Sequence, residues 1–524
     1  MKATLGFIFM NLRSFVIATV FASVTLVAAA DAIHQDQQLD STVAQANQLF
    51  LDARFDDGIA LLKQLEKTRS EDPAVSFFIA NGYWWKIFRV YVYDKGAAST
   101  PYDSDFDRYL QETIDRAGVM LDRNSNDIKA LFYLGNAYSL KSRVKGLRGS
   151  YFSASRDAGR GKNYLERVTD IDKNQYDAFY NLGVYNYLAG AIPGYAKVLK
   201  FFLFLPGGSK DKGISLLNQA SKKSVYFADE SQLLLARFYA DFEDRPADAL
   251  KIVEAFHRKY AGNAWFHYWT ATLYSDELND YEQAKPIYEE ILAKCDEGAP
   301  SYTAEVKNQS WLKLARVESR LLYPEKAAEK IENLIASKPK DPQWILAKAY
   351  LELGNTYDQI GMRQDAITSY RHVLALQDYR NFHEEAKKLL TQSYNQKVAD
   401  IYRLNLDGRR LALEGRYEEA EASLKKVMET YPSNEQTMYA MAELFYLKGS
   451  YKDAIPLLNK ILSKHPKEPR WLLPGVYVRL GQVYQANSQA EAARRSYEKA
   501  LATDFIASDD KNLAKRALRQ IGES

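Results

Sequence analysis

Side chains able to do chemistry are few in this 524-residue chain and poorly placed to do it. None of its six histidines makes the i, i+4 pair that sets two metal ligands on one helix face. His257 and His267 are the closest two along the array, with Glu254 one turn before the first, and they read as core or surface histidines. Ser-x-x-Lys occurs at Ser142/Lys145, Ser209/Lys212, Ser337/Lys340, Ser423/Lys426 and Ser496/Lys499. A nucleophile–base spacing scattered so widely marks chance rather than a site. There is no G-x-S-x-G, no Walker-type phosphate loop and no H-E-x-x-H, and Gly207-Gly208 is a turn with no phosphate-binding pattern after it. Cys295 stands alone, which excludes an internal disulfide and a cysteine-based metal site. The formal charge is +3, of which Lys2 and Arg13 supply two. The body after residue 30 is therefore near neutral and lacks the basic surface that nucleic acid demands. No catalytic residue, cofactor or metal ligand is assigned, and a binding protein is expected.

The elements that must build its binding surface show themselves by recurrence. Ahead of Tyr431-Pro432 stand Gly408, Leu411, Gly415, Ala420, Leu424 and Val427; the next stretch supplies Ala442, Phe445, Gly449, Ala454, Leu458, Ile461 and Pro466. Gly408 and Ala442 are 34 residues apart, the length of one helix–turn–helix unit. Leu134-Gly135-Asn136-Ala137-Tyr138, Leu353-Gly354-Asn355-Thr356-Tyr357 and Leu480-Gly481-Gln482-Val483-Tyr484 share the pattern L-G-x-x-Y. The small residue lets the first helix of a hairpin (A) touch the second (B) closely. Another small residue, about twelve positions on, makes the same contact from helix B. Ala46/Gly58, Gly135/Gly161, Gly183/Gly213, Ala236/Ala249, Ala271/Ala284 and Ala315/Ala327 extend the pattern upstream, with a further pair at 73–93 and 105–122. About ten or eleven hairpins are expected. Pro286 and Pro456 each follow the B-helix small residue by two and are expected in the first turn of helix B, where a missing N–H costs little.

These motifs resemble the tetratricopeptide-repeat (TPR) family over nearly all of the chain after residue 40, most closely over 345–505. The resemblance implies an all-α solenoid of stacked hairpins whose concave groove holds a protein partner. Asn136, Ser139, Tyr187, Asn355 and Asp358 are the candidate groove residues. The family's chaperone-type clamp pairs lysine with asparagine on successive A helices; Phe132 and Leu351 stand at the lysine places here, so that function is not carried over.

Three stretches depart from the repeat. Between Gly135 and Gly161 the spacing is 26, and residues 141–162 hold seven cations against Asp157. The expectation is a basic anion-binding loop, with Arg143, Lys145 and Arg148 as docking candidates, or a solvated helix extension. Between Gly183 and Gly213 the spacing is 30, and the insert near 191–209 carries an apolar run with Phe201, Phe202 and Phe204, too short to span a bilayer. That run is either a docking element or extra core. Residues 81–93, rich in Trp and Tyr, could offer stacking faces to sugar or peptide, or pack inside. The 151–215 combination resembles a group of exported bacterial proteins of the family, and is similar to the eukaryotic inclusion-body-clearance TPR family. Both imply binding or scaffolding, the second with a hint of lipid.

Lys2 and Arg13 precede an uncharged run, Ser14 to Ala30, ending Ala28-Ala29-Ala30. This is the pattern of a secretory signal cleaved before Asp31, with a retained N-terminal membrane anchor as the alternative. The expected layout is 1–30 signal, 31–262 a degenerate N-terminal array, and 263–524 a C-terminal array. The expected function is a non-enzymatic exported scaffold, periplasmic or envelope-associated, that binds protein in its groove. The alternative is an envelope assembly factor meeting a membrane surface or anionic polymer through 141–162 and 192–205.

Overall fold

A computed structural model describes residues 33–34, 36–93, 98–191, 207–340, 342–379, 381–504 and 507–523. Among the described residues the fold is 79% helical, in 24 helices and with no strand. Residues 1–30, where a signal is expected, and Phe201, Phe202 and Phe204 lie outside the described residues. No described helix is long and apolar enough to cross a membrane.

Two compact units divide the chain. The first, to Glu243 plus Arg258–Asn263, holds α1 (Gln37–Leu51), α2 (Phe55–Glu66), α3 (Pro73–Tyr93), α4 (Asp103–Arg123), α5 (Ile128–Leu147), α6 (Tyr151–Ile171), α7 (Tyr176–Ala191), α8 (Lys210–Lys223) and α9 (Ala228–Asp241). The second begins in α10 (Pro246–Lys259) and continues with α11 (Ala264–Thr272), α12 (Tyr281–Asp296), α13 (Ala304–Arg320), α14 (Pro324–Ala336), α15 (Ile345–Gln359), α16 (Arg363–Ala375) and α17 (Phe382–Thr391). It ends with α18 (Gln396–Leu413), α19 (Tyr417–Thr430), α20 (Glu435–Leu447), α21 (Tyr451–Ser463), α22 (Leu472–Ala486), α23 (Ala490–Leu501) and α24 (Ser508–Glu523).

Successive helices pack as antiparallel hairpins, and the small residues explain why. A Cβ on Gly135 would lie 2.5 Å from Leu165, one on Gly183 2.7 Å from Leu217, and one on Gly408 2.6 Å from Leu424. In two of the three L-G-x-x-Y hairpins a tyrosine fills the notch instead: Tyr370 covers Gly354 and Tyr497 covers Gly481. Both rings are almost wholly buried. From the other side, a Cβ on Gly213 would meet the backbone of Tyr187 at 2.5 Å. The A–B turns need one left-handed residue, supplied by Gly149 (φ 74), Gly361 (φ 88), Gly415 and Gly449 (φ 76), and elsewhere by Asn279 or Leu322.

The structure decides one local alternative, corrects one expectation and adds a break in the repeat. Residues 141–162 form no loop: they prolong α5 and α6 by helical turns on either side of Gly149. Pro286 and Pro456 sit six residues into α12 and α21, one turn later than expected. And Gly354 is 54 residues from Gly408 because α17, a helix without a hairpin partner, is spliced between α16 and α18.

Neither unit is an open stack in which each repeat meets only its neighbours. In the first, Asn263 Nδ2 donates to Leu51 O at 2.8 Å and Asn47 Nδ2 to Tyr226 O at 2.9 Å, so α1 meets segments some 180 to 210 residues away. Buried Asp177 accepts from the backbone N–H groups of Val225 (3.1 Å) and Tyr226 (2.7 Å), from Ser224 Oγ, and from His34 at 3.0 Å. In the second, Asp509 at the head of α24 accepts from Arg320 and from Tyr281 Oη, each at 2.8 Å, and pairs with Arg316. Arg519 reaches Asp244 at 2.5 Å.

Candidate functional site

The residue after the small A-helix position faces inward, where a groove would hold its ligand. In the first unit that face is filled by the protein itself. Asn136 is fully buried, and its Oδ1 accepts from Asn181 Nδ2 at 2.7 Å. Tyr187 is likewise fully buried, its ring stacked on Phe238 at 3.8 Å. Ser139 Oγ donates to Gly135 O at 2.8 Å, inside the hairpin crossing. Asn136 and Tyr187 are therefore interior packing residues, and half-buried Ser139 spends its hydroxyl within the crossing. Phe77, Phe78, Tyr133, Tyr226 and Phe227 close the space further, with ring centroids 4.9–6.4 Å apart. Of the 81–93 aromatics, Tyr83, Trp85 and Tyr93 are buried and Tyr83 stacks on Tyr109, while Trp84, Phe88 and Tyr91 are half-buried.

The proposed docking cations are engaged as well. Arg143 donates to Tyr180 Oη at 2.7 Å and to Asn181 Oδ1 at 2.6 Å; Lys145 pairs with Asp157 at 2.5 Å and Arg148 with Asp103 at 2.6 Å. Burial pushes the nearby Glu230 carboxyl up to about 8, so it is held neutral.

In the second unit the inward ladder is ionic. Glu443, one residue after Ala442, accepts from Arg409 at 2.6 Å and from Arg479 at 2.7 Å. Arg479 lies two residues before Gly481, as Asn181 lies two before Gly183, so the two ladders use equivalent places. Burial alone would raise the Glu443 carboxyl, but the two guanidinium groups outweigh it and hold it low.

The remaining two candidates, Asn355 and Asp358, come together where α17 interrupts the repeats. Tyr370 Oη donates to Asp358 Oδ2 at 2.9 Å and lies 3.1 Å from Asn355 Oδ1. Arg363 adds a second bond to Asp358 Oδ2 at 2.6 Å and, at 3.0 Å, caps the carbonyl of Leu389 at the end of α17. Tyr394 Oη donates to the Asp358 carbonyl at 3.2 Å. The other carboxyl oxygen, Oδ1, has no hydrogen-bond partner. Burial raises this carboxyl, against Arg363 and Tyr370. Met362 (41% exposed), next to Arg363 in the A–B turn, and Leu404 (46%) on α18, the helix that follows α17, are open to solvent. Arg363, Tyr370 and Tyr394 were missed in the sequence; the one available clue was the 54-residue gap between Gly354 and Gly408.

His257 and His267 do come together, stacked with centroids 4.2 Å apart, and burial and then His257 depress His267 to about 3. No group of three potential metal ligands exists among the described residues. Burial pushes the Cys295 thiol up to about 11, far from a reactive thiolate.

Family models for the tetratricopeptide repeat match residues 347–379, 411–473 and 474–505. The chain carries tetratricopeptide repeats. No curated protein matches it. Among solved structures, a tetratricopeptide-repeat protein from Parabacteroides merdae is 16% identical over 56% of this chain and 99% of its own, with a TM-score of 0.26. A Rap protein complexed with competence and sporulation factor is 14% identical over 75% and 97%, with a TM-score of 0.35. The TPR2AB domain of yeast Sti1, in complex with pHSP90, is 14% identical over 56% and 96%, with a TM-score of 0.22. The TPR repeats at 347–505 thus flank the α17 interruption and place it within an interaction scaffold.

Proposed function

We propose that the chain is an exported interaction scaffold that holds a protein partner beside the α17 interruption, with Asp358 as the anchoring acceptor. The observation that carries this reading is the run of TPR repeats on both sides of that break. Such hairpins present extended surfaces made of many shallow contacts. Asp358 Oδ1 is an acceptor already desolvated and still unmatched, so a partner lysine, arginine or backbone N–H would gain a charge-assisted bond there. Met362 and Leu404 supply apolar area for the same segment. No residue is assigned a catalytic role.

The test is a photo-crosslinker placed at Leu404 in the full chain, compared with one at exposed Val119 in the first unit. A defined partner should crosslink at 404 and not at 119, and Asp358→Ala should reduce its yield on the order of tenfold, as expected when a charged hydrogen bond is lost. Equal capture at both places would refute the site. Export is tested separately: mature protein should begin at Asp31, and recovery of intact Met1 in the envelope would support the anchored alternative.

A further inference from the structure

The turn between α5 and α6 is the one place where two adjacent large aromatics are exposed among the described residues: Tyr151 at 66% and Phe152 at 55%. From this tip a single-signed stripe runs along α6. Phe152, Arg156 and Arg160 are spaced by four, so they share one helix face, and all three are exposed. The only acid in 141–162, Asp157, is buried and already bound by Lys145; Arg160 reaches it only at 3.9 Å. Arg156 and Lys141 have no acid partner among the described residues. Arg156 therefore carries uncompensated positive charge one helical turn behind the two exposed rings, with Arg160 one turn further on.

We propose that this tip docks the protein on an anionic membrane surface. The exposed rings select that occupant over an acidic peptide. An Arg cluster that reads an acidic peptide has no need of exposed rings beside it, whereas this end of the hairpin, turning at Gly149, presents two adjacent exposed aromatics next to its cations. Amphipathic rings with cations behind them fit the headgroup layer, where the rings sit among the lipid carbonyls and the cations meet phosphate. The site is independent of the Asp358 region, so either can fail alone.

The experiment uses the full chain and vesicles of phosphatidylcholine with or without phosphatidylglycerol. Wild type should float with the anionic vesicles, not with the neutral ones, and salt should weaken the association. Tyr151→Ser with Phe152→Ser, and separately Arg156→Glu with Arg160→Glu, should each lower the bound fraction by on the order of tenfold or more, with helical circular dichroism unchanged. An environment-sensitive dye at Tyr151→Cys in a Cys295→Ser background should brighten on anionic vesicles, and the same dye at Val119→Cys should not. Absence of wild-type flotation, flotation indifferent to both double variants, or binding to polyglutamate but not to vesicles would each overturn the proposal.

Discussion

Two buried glutamates mark how the halves of this protein differ. Glu230 lies in the first unit and is held neutral, pushed up to about 8 by burial. Glu443 lies in the second unit and is held charged between Arg409 and Arg479. Hairpins of the same kind, joined by similar small-residue notches, thus enclose an aromatic interior in one unit and an ionic one in the other. The backbone architecture does not dictate the chemistry of the inward face. What it requires is that the face be filled and every buried charge matched or discharged.

The sharpest way to break this comparison is to remove the central charge. Glu443→Ala leaves two buried guanidinium groups unpaired and should cost about 3–5 kcal/mol, read as lost hydrogen-exchange protection over 396–486. Replacing all three residues of the triad by apolar ones of similar volume should return most of that stability. A single-variant cost under about 1 kcal/mol would mean that the triad is solvated and the ionic interior a misreading. In the first unit, Phe78→Ala should cost about 3–5 kcal/mol, read as lost exchange protection across that unit, including 224–227, where Tyr226 and Phe227 pack on its ring.

The pH responses should run in opposite senses. Glu230 is raised above its ordinary value of 4.5, so its contribution is fully present below pH 4.5 and is lost as pH rises toward 8. Glu230→Gln should therefore stabilise the first unit at pH 8 relative to wild type and make little difference at pH 4.5. Glu443 is lowered, so its contribution is present above pH 4.5 and is lost as pH falls through its depressed value. Unit-resolved exchange at several pH values measures both, and parallel slopes would remove the distinction. The smallest effect is expected at Asn355→Ala. It removes one half-exposed hydrogen bond from Tyr370 and should cost about 0.5–1.5 kcal/mol in urea unfolding.

Much of the fold was legible because notch contacts are local. Gly354 and Tyr370, or Gly481 and Tyr497, are 16 residues apart, and a repeat search sees them directly. The inward face was less legible. Asn136 and Tyr187 look like groove residues by register, but their partners Asn181 and Phe238 lie 45 and 51 residues away, and no periodicity reports that a unit folds back on itself. The cations at 143, 145 and 148 misled for a related reason: a count of charges along the chain does not reveal Tyr180 and Asn181 facing Arg143, Asp157 facing Lys145 or Asp103 facing Arg148. Asn355 and Asp358 were found by register, yet their setting depends on α17, a ten-residue helix outside the repeat period.

The long-range contacts of α1 and α24 also bear on how the chain folds. An open stack can grow from any hairpin outward and fray from its ends. Here α1 needs segments 224–227 and 258–263 before Asn47 and Asn263 can be satisfied, and Asp509 needs α13, nearly two hundred residues earlier. Such non-local closure carries a loop-entropy cost and slows folding. It also ties a terminal helix of each unit to distant segments of the same unit, so each should unfold as one cooperative block rather than peel away hairpin by hairpin.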